Sequence, residues 1–204
     1  MFKKAVQHAV LALAVAATAV TFVGGTANAA PATAHARTSI VGGRTTVTTG
    51  HGIAGVLLSH GILPIVTRPG SEGLRIAGGL AVTASFPVTG GSASLSPLGG
   101  TVRHRGGIRF INVHNGKSLT VGDFTIDLSA GDLTGAVNGT STRVPVFTLD
   151  LSGASIAVHG NTVRFTNVGL VLTSTAAGAL NASLHTSLFA GGLRFGTAVS
   201  TVTL

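Results

Sequence analysis

The sequence predicts an all-β protein, an antiparallel two-sheet sandwich with two short α-helices. Two segments repeat almost unchanged: residues 124–129 (FTIDLS) return as residues 147–152 (FTLDLS), and residues 108–113 (IRFINV) return as residues 163–168 (VRFTNV). Each copy alternates apolar and polar residues, which is typical of a strand with one face in a core and the other in water. Turn-forming pairs with glycine or asparagine recur between such segments at short spacing, as an antiparallel sandwich requires.

Residues 1–29 are predicted to be a secretory signal peptide, and residues 30–37 a flexible leader. A basic start precedes an apolar run and a small-x-small cleavage site at residues 27–29. Nothing later in the chain approaches the roughly 18 consecutive apolar residues that indicate a transmembrane helix. We therefore expect a secreted or cell-surface protein whose mature chain has no transmembrane segment and carries one domain, residues 38–204.

The composition narrows the classes of function. The chain has no cysteine, so neither a disulfide nor a thiolate is available. The formal charge of +8 falls to +6 without Lys3 and Lys4, and the arginines are scattered singly, which favours weak attraction to anionic polymers. A dedicated nucleic-acid surface adds aromatic stacking groups, but this chain has neither Trp nor Tyr. We expect a cell-envelope component or an apolar small ligand as partner, and no specific nucleic acid.

The first half of the domain contains one short helix among strands. Ile53, Val56, Leu57 and His60 recur at helical spacing, and Gly61 supplies a stop. The elements predicted here are a hairpin or bulged strand at residues 38–49, a helix at 52–60, a strand at 74–88 with a bulge or turn at 78–79, and a turn at 90–91.

The segment around His104 is predicted to be a bulged hairpin. Its three-residue loop, residues 105–107, ends in glycine, as such hairpins prefer. The hairpin would pair His104 with Ile108 and Val102 with Phe110, which places all four side chains on one face.

The rest of the chain continues as a meander of strands, interrupted by a second helix. In that helix Leu180, Leu184 and Leu188 recur every four residues, Ser174 or Thr175 can cap its start, and the glycine pair after it can close its end. The predicted strands cover residues 119–128, 133–137, 143–151, 155–158, 162–172 and 193–204, and the predicted helix lies within residues 173–190.

Catalytic and metal-binding motifs are lacking. Asp127 and Asp150 occupy equivalent places in the repeated segments and could serve as the acid and base of a glycoside hydrolase, but the chain has no Trp or Tyr to line a sugar groove. There is no Gly-x-Ser-x-Gly motif and no His-Glu-x-x-His motif. We predict a non-enzyme without catalytic or metal-binding residues; an envelope hydrolase is the weakest alternative.

Three motifs lie in order in the second half of the chain: His-x-Gly at residues 104–106, Thr-Leu-Asp-Leu at 148–151, and Leu-Thr-x-x-Ala-Ala-Gly-Ala at 172–179. With the strands around them, they resemble the Htaa domain, a secreted or surface β-rich module of actinobacteria. The resemblance covers about residues 99–204. It implies a two-sheet fold with short helices and, in haem-uptake members of the family, a haem site with a tyrosine ligand supported by that histidine.

His104 and His51 are the candidate ligand-binding residues. The chain has no tyrosine, and residues 49–61, which should carry the family's ligand, offer His51 and His60 instead. Imidazole binds haem iron well, so haem or another apolar small ligand at His104 and His51 is one function that the resemblance implies. A lone histidine on an apolar face is also often a buried, hydrogen-bonded core residue. The leading expectation is an exported, non-catalytic β domain that acts by binding or structural contact.

Overall fold

A computed structural model describes residues 37–75 and 80–204. The predicted signal peptide, residues 30–36 of the predicted leader and the glycine pair at 78–79 lie outside the described residues. The described residues form thirteen strands and two helices. They are β1 (Thr38–Ile40), β2 (Gly42–Thr49), α1 (Ile53–Ser59), β3 (Ile62–Thr67), β4 (Ser71–Arg75), β5 (Ala81–Leu95), β6 (Leu98–His104), β7 (Gly107–Asn112), β8 (Ser118–Asp127), β9 (Asp132–Val137), β10 (Arg143–Asp150), β11 (Ser155–His159), β12 (Thr162–Leu172), α2 (Ser174–Leu184) and β13 (Arg194–Thr203).

Eight of these strands close into a barrel. Each pairs antiparallel with the next in the cyclic order β2, β13, β12, β10, β9, β8, β6 and β5, and β5 pairs again with β2. The pairing of β6 with β8 is short, from Thr101 opposite Asp127 to Arg103 opposite Thr125. The prediction of an antiparallel all-β chain with two short helices is confirmed. The predicted pair of stacked sheets is not what forms, because these eight strands belong to one sheet that closes on itself.

The long strand β5 makes this closure possible by serving two neighbours. Residues 83–88 pair with β2, and residues 88–95 pair with β6. Gly90 and Gly91, predicted to be a turn, instead lie inside β5 where the register with β6 shifts. Gly91 has a φ of 133°, and a Cβ atom there would overlap the carbonyl oxygen of Thr101. The glycine pair therefore bends the strand without ending it, as glycines do at barrel corners.

The predicted hairpin at His104 does not form. β6 and β7 both pair antiparallel with β8, β6 with residues 125–127 and β7 with residues 118–122. They therefore run in the same direction along one side of β8, separated by a break at Arg105 and Gly106. At the break, Gly106 has a φ of 91°, and its carbonyl oxygen accepts a hydrogen bond of 2.8 Å from the Asp123 amide. The glycine lets the chain step sideways, so that β7 leaves the barrel and pairs with β3.

The repeated segments have a common structural role. Phe124 and Phe147 are both buried, as predicted, and pack on Phe86 at 5.2 Å and on Phe195 at 5.4 Å between ring centroids. In each copy the aspartate closes the turn that follows. Asp127 Oδ1 accepts the amide of the serine two residues later at 2.8 Å, and the aspartate of the second copy does the same at 3.0 Å.

Both helices are present, but the second is shorter than predicted. Thr173, one residue before the predicted caps, accepts a hydrogen bond of 3.1 Å from the Ala176 amide. The helix ends at His185, which has a φ of 51°. Beyond it, Asn181 Oδ1 accepts a hydrogen bond of 3.0 Å from the Phe189 amide, and Asn181 Nδ2 donates one of 2.8 Å to the Phe189 carbonyl. These bonds hold the loop so that the Phe189 side chain packs in the core. With 7 and 11 residues, neither described helix has the length or hydrophobicity that crossing a membrane would require.

The core fills the barrel and the space beneath α2. Val163 and Val202, opposite each other on β12 and β13, are completely buried. The buried face of α2 carries Ala176, Ala177, Leu180 and Leu184. Burial of about 25 cal/mol per Å² of apolar surface is the main stabilising contribution in a chain without disulfides.

The glycine bend in β5 can be tested by substitution. Gly91→Ala should lower the free energy of unfolding by about 3 kcal/mol, because it combines a disallowed φ with overlap of a backbone carbonyl. The matched control is Gly55→Ala in α1, where no atom lies near the new methyl group; it should raise stability by about 0.5–1 kcal/mol. Urea unfolding measures both, and a Gly91→Ala protein as stable as the parent would contradict the described bend.

Candidate functional site

His104, the last residue of β6, points into the barrel and is 4% exposed. Its Nε2 atom lies 2.8 Å from Thr45 Oγ1 on β2, which in turn lies 2.8 Å from Ser200 Oγ on β13. Its Nδ1 atom lies 3.3 Å from the carbonyl oxygen of Phe124 on β8. Side chains and backbone from four strands thus meet at one polar cluster inside an otherwise apolar barrel.

The partners of His104 fix the direction of every hydrogen bond in this cluster. A carbonyl oxygen can only accept, so Nδ1 carries the proton and donates to Phe124. In the neutral ring Nε2 is then an acceptor, and the Thr45 hydroxyl donates to it. Since that hydroxyl has used its proton, the Ser200 hydroxyl donates to Thr45. The result is a chain of three hydrogen bonds that satisfies both nitrogens of a neutral imidazole.

The surroundings favour this neutral form. Burial lowers the pKa of His104 from 6.5 to about 4, and the hydrogen bond to the Phe124 carbonyl opposes that shift only in part. At neutral pH the ring is therefore uncharged, a buried polar group with all of its hydrogen bonds made.

The barrel around this cluster is filled. A cavity of about 30 Å³ beside the ring is lined mainly by apolar side chains, and its neighbours inside the fold measure about 30–40 Å³. Sites for small molecules and cofactors usually measure roughly 300–1,000 Å³. These interior spaces have room for one or two waters each and none for a larger ligand.

The sequence correctly predicted that His104 is buried but not what it contacts. The hairpin register placed it beside Val102, Ile108 and Phe110, whereas its hydrogen-bond partners come from β2 and β8, and Ser200 on β13 bonds to the β2 partner. Thr45 and Ser200 were missed. The signal for Ser200 is present in β13, where Ala198, Ser200 and Val202 alternate inward and the serine alone is polar.

His51, the second candidate, lies at the surface in the turn before α1. The structure therefore places His104 inside the barrel and His51 outside it, and does not bring the two together. The role of His51 in ligand binding stays a prediction. His60 follows the end of α1, where a helix C-terminus was predicted. Every other described histidine is exposed, including His114 and His159.

The two aspartates of the alternative hydrolase hypothesis serve separate turns. Asp127 lies at the end of β8 and Asp150 at the end of β10, with β9 between those strands. Hydrogen bonds from the hydroxyl and amide of Ser152 hold the pKa of Asp150 below its usual 3.8, and Arg194 at 2.9 Å adds to the shift. Within residues 37–75 and 80–204, no three His, Asp or Glu side chains come together as a metal site.

The architecture is similar to that of solved structures. The C-terminal domain of HtaA from Corynebacterium glutamicum matches with a TM-score of 0.53 and 15% sequence identity, over 81% of this chain and 98% of that one. The chain has an HtaA-like fold. A domain-swapped dimer of a histidine-to-alanine variant of the same domain also matches, with a TM-score of 0.49, 15% identity, and coverage of 74% and 87%. No protein-family model and no curated protein matches the sequence.

The HtaA-like fold confirms the resemblance found in the sequence and extends it to most of the chain. At 15% identity the likeness shows the fold alone. The haem site that the family resemblance implies must therefore be tested on the residues present.

Those residues do not fit a haem at His104. The chain lacks the tyrosine ligand, and both imidazole nitrogens are hydrogen-bonded within the barrel. The adjacent cavity of about 30 Å³ is at least tenfold smaller than the usual cofactor site, so it cannot hold a porphyrin. In the HtaA-like fold of this chain, His104 is a structural residue that holds four strands together.

The lowered pKa of His104 predicts how stability depends on pH. The unfolded chain binds a proton at this ring near pH 6.5, whereas the folded protein does so only near pH 4. The stabilisation is therefore fully present above pH 6.5 and is lost as the pH falls from 6.5 through 4, by about 3 kcal/mol in total. Unfolding in urea across this range measures it.

The control for this prediction is an exposed histidine. His114→Gln should leave the loss between pH 6.5 and 4 in place, whereas His104→Gln should flatten it at whatever absolute stability that variant has. The lowered pKa of Asp150 adds its own loss of stability mainly below pH 3.8, and it does so in both variants. Equal pH dependence in both variants would show that His104 does not titrate as described.

Proposed function

We propose that this chain is an exported, non-catalytic domain that acts in the cell envelope or extracellular space by binding at its outer surface. The closed, filled barrel is the observation that carries the proposal. Its interior spaces hold no more than water, and its one buried imidazole is fully hydrogen-bonded. Because the described interior spaces are too small for a ligand, we place binding at the outer surface of the domain. Export rests on the predicted signal peptide at residues 1–29.

The basic outer surface supports an anionic partner. All nine arginines whose side chains are described are exposed, and among them only Arg194 pairs with a carboxylate. The chain from residue 30 onward has a formal charge of +6. Exposed guanidinium groups attract anionic polymers in a salt-dependent manner. Without Trp or Tyr to stack on bases, an anionic envelope component is a better match than a specific nucleic acid.

The carboxylates support a non-catalytic role. Asp127 and Asp150 each accept hydrogen bonds within their own turn, and Asp150 also pairs with Arg194. A glycoside hydrolase instead needs two carboxyl groups that face each other across one groove.

Binding to envelope material tests the proposal. Residues 30–204, immobilised and titrated with a bacterial cell-wall preparation, should show saturable binding that persists in part at 0.5 M NaCl. Electrostatic screening at that salt concentration acts within about 4 Å, so only close, specific contacts survive. Binding that disappears completely at 0.5 M NaCl would reduce the interaction to general charge attraction and contradict the proposal.

Hemin titration tests the alternative of a haem carrier. No saturable Soret shift that depends on His104 is expected, because the ring is buried and both of its nitrogens are occupied. His51→Ala serves as the comparison, since His51 is exposed and could contact iron from outside. A stoichiometric shift that is lost in His104→Ala would overturn the proposal in favour of the carrier.

A further inference from the structure

A groove on the outer face of the protein is far larger than the interior spaces of about 30–40 Å³ described above. It has a volume of about 340 Å³. It lies between the β3–β4 loop, the break between β6 and β7, the middle of β8, and the end of β9 with the turn that follows. That volume is within the usual range for small-molecule sites. Its lining residues are Thr67, Arg68, Pro69, Arg105, Gly106, Thr120, Gly122, Asp123, Ala136 and Gly139.

Two glycines allow the backbone segments that form the walls of this groove to approach each other closely. A Cβ atom on Gly106 would lie 2.9 Å from the amide nitrogen of Gly70 and 3.0 Å from the carbonyl oxygen of Thr67. A Cβ atom on Gly122 would lie 2.8 Å from the carbonyl oxygen of Gly106. The β3–β4 loop therefore packs backbone to backbone against the break between β6 and β7. Arg68 and Arg105, next to these contacts, consequently emerge at the same groove.

The charged groups of the groove are not used by the fold. The Arg68 and Arg105 guanidinium groups and the Asp123 carboxylate are exposed, and none makes a side-chain hydrogen bond or ion pair with a described residue. A third cation is close: Arg143 donates to the carbonyl oxygen of Asp123 at 2.8 Å. The groove thus combines an excess of positive charge with one free carboxylate and the hydroxyl groups of Thr67 and Thr120.

This combination specifies a ligand with two kinds of group. Guanidinium groups bind phosphate oxygens through charge-assisted, often bidentate hydrogen bonds. A carboxylate repels a phosphate but accepts hydrogen bonds from hydroxyl groups. Because both lie in one groove, a ligand that bears a phosphate and neighbouring hydroxyls satisfies all three charged side chains, whereas a bare anion leaves Asp123 repelled.

We propose that this groove binds a phosphorylated polyol or sugar unit, with Arg68 and Arg105 on the phosphate and Asp123 on a hydroxyl. The inference deepens the proposed function, since it names the chemistry and the place of the contact. It can be tested with a soluble small molecule, so its failure is separate from failure to bind envelope material.

The test measures binding of glycerol phosphate and of inorganic phosphate to residues 30–204 by calorimetry and by amide chemical shifts. Glycerol phosphate should shift the amides of Gly106 and Gly122. Arg68→Ala and Arg105→Ala should each weaken its binding about 10- to 100-fold, the usual effect of removing a hydrogen bond to a charged group. The matched control is Arg164→Ala on β12, which removes an exposed arginine outside the groove and should change affinity less than twofold.

Asp123→Asn separates a polyol phosphate from a bare anion. Asparagine tolerates the φ of 46° at this position, so the turn is retained. The substitution should tighten inorganic phosphate and weaken glycerol phosphate. Equal tightening of both ligands would overturn the role of Asp123. Equal weakening by Arg164→Ala and Arg68→Ala, or no shift at Gly106 and Gly122, would overturn the site itself.

Discussion

A chain of hydrogen bonds crosses the interior of the barrel from Ser200 through Thr45 to His104 and on to the Phe124 carbonyl. It joins β13 and β2 on one side to β6 and β8 on the other. The pairing of β6 with β8 spans only three residue pairs, so this polar connection reinforces the shortest part of the barrel wall. In an apolar interior such a network is strong when complete and costly when broken. A single register of the surrounding strands satisfies it, and it therefore contributes to the uniqueness of the fold.

The individual strands and helices could largely be predicted from local pattern. The alternation in residues 162–172 gave β12 with both ends correct, and the repeated segments correctly placed Phe124 and Phe147 in the core. The second helix was overextended, because Leu188 and Phe189 continue the apolar spacing although a loop, held by Asn181, delivers them to the core. Periodicity reports which side chains are buried, and a loop can bury them as well as a helix.

Closure of the barrel could not be predicted in this way. It depends on which strands pair, and two local signals were ambiguous. Gly90 and Gly91 are equally suited to a turn and to a bulge within a strand, since both need positive φ. Gly106 is equally suited to a hairpin loop and to a sideways step between two collinear strands. For the same reason, the burial of His104 could be predicted but not its partners. Thr45 is 59 residues from His104, and Ser200 is 155 residues from Thr45, so only the closed sheet brings these three side chains together.

The interior of the barrel is filled, and both ring nitrogens of His104 are hydrogen-bonded within it. The features that remain for binding are on the outside: an exposed basic surface and a polar groove. The measurement that tests this most directly is ¹⁵N NMR of histidine-labelled protein at pH 5, with His104 assigned by His104→Gln. The account predicts that the His104 imidazole stays neutral at this pH, with its proton on Nδ1. A His104 ring that is charged at pH 5, or that carries its proton on Nε2 alone, would contradict it.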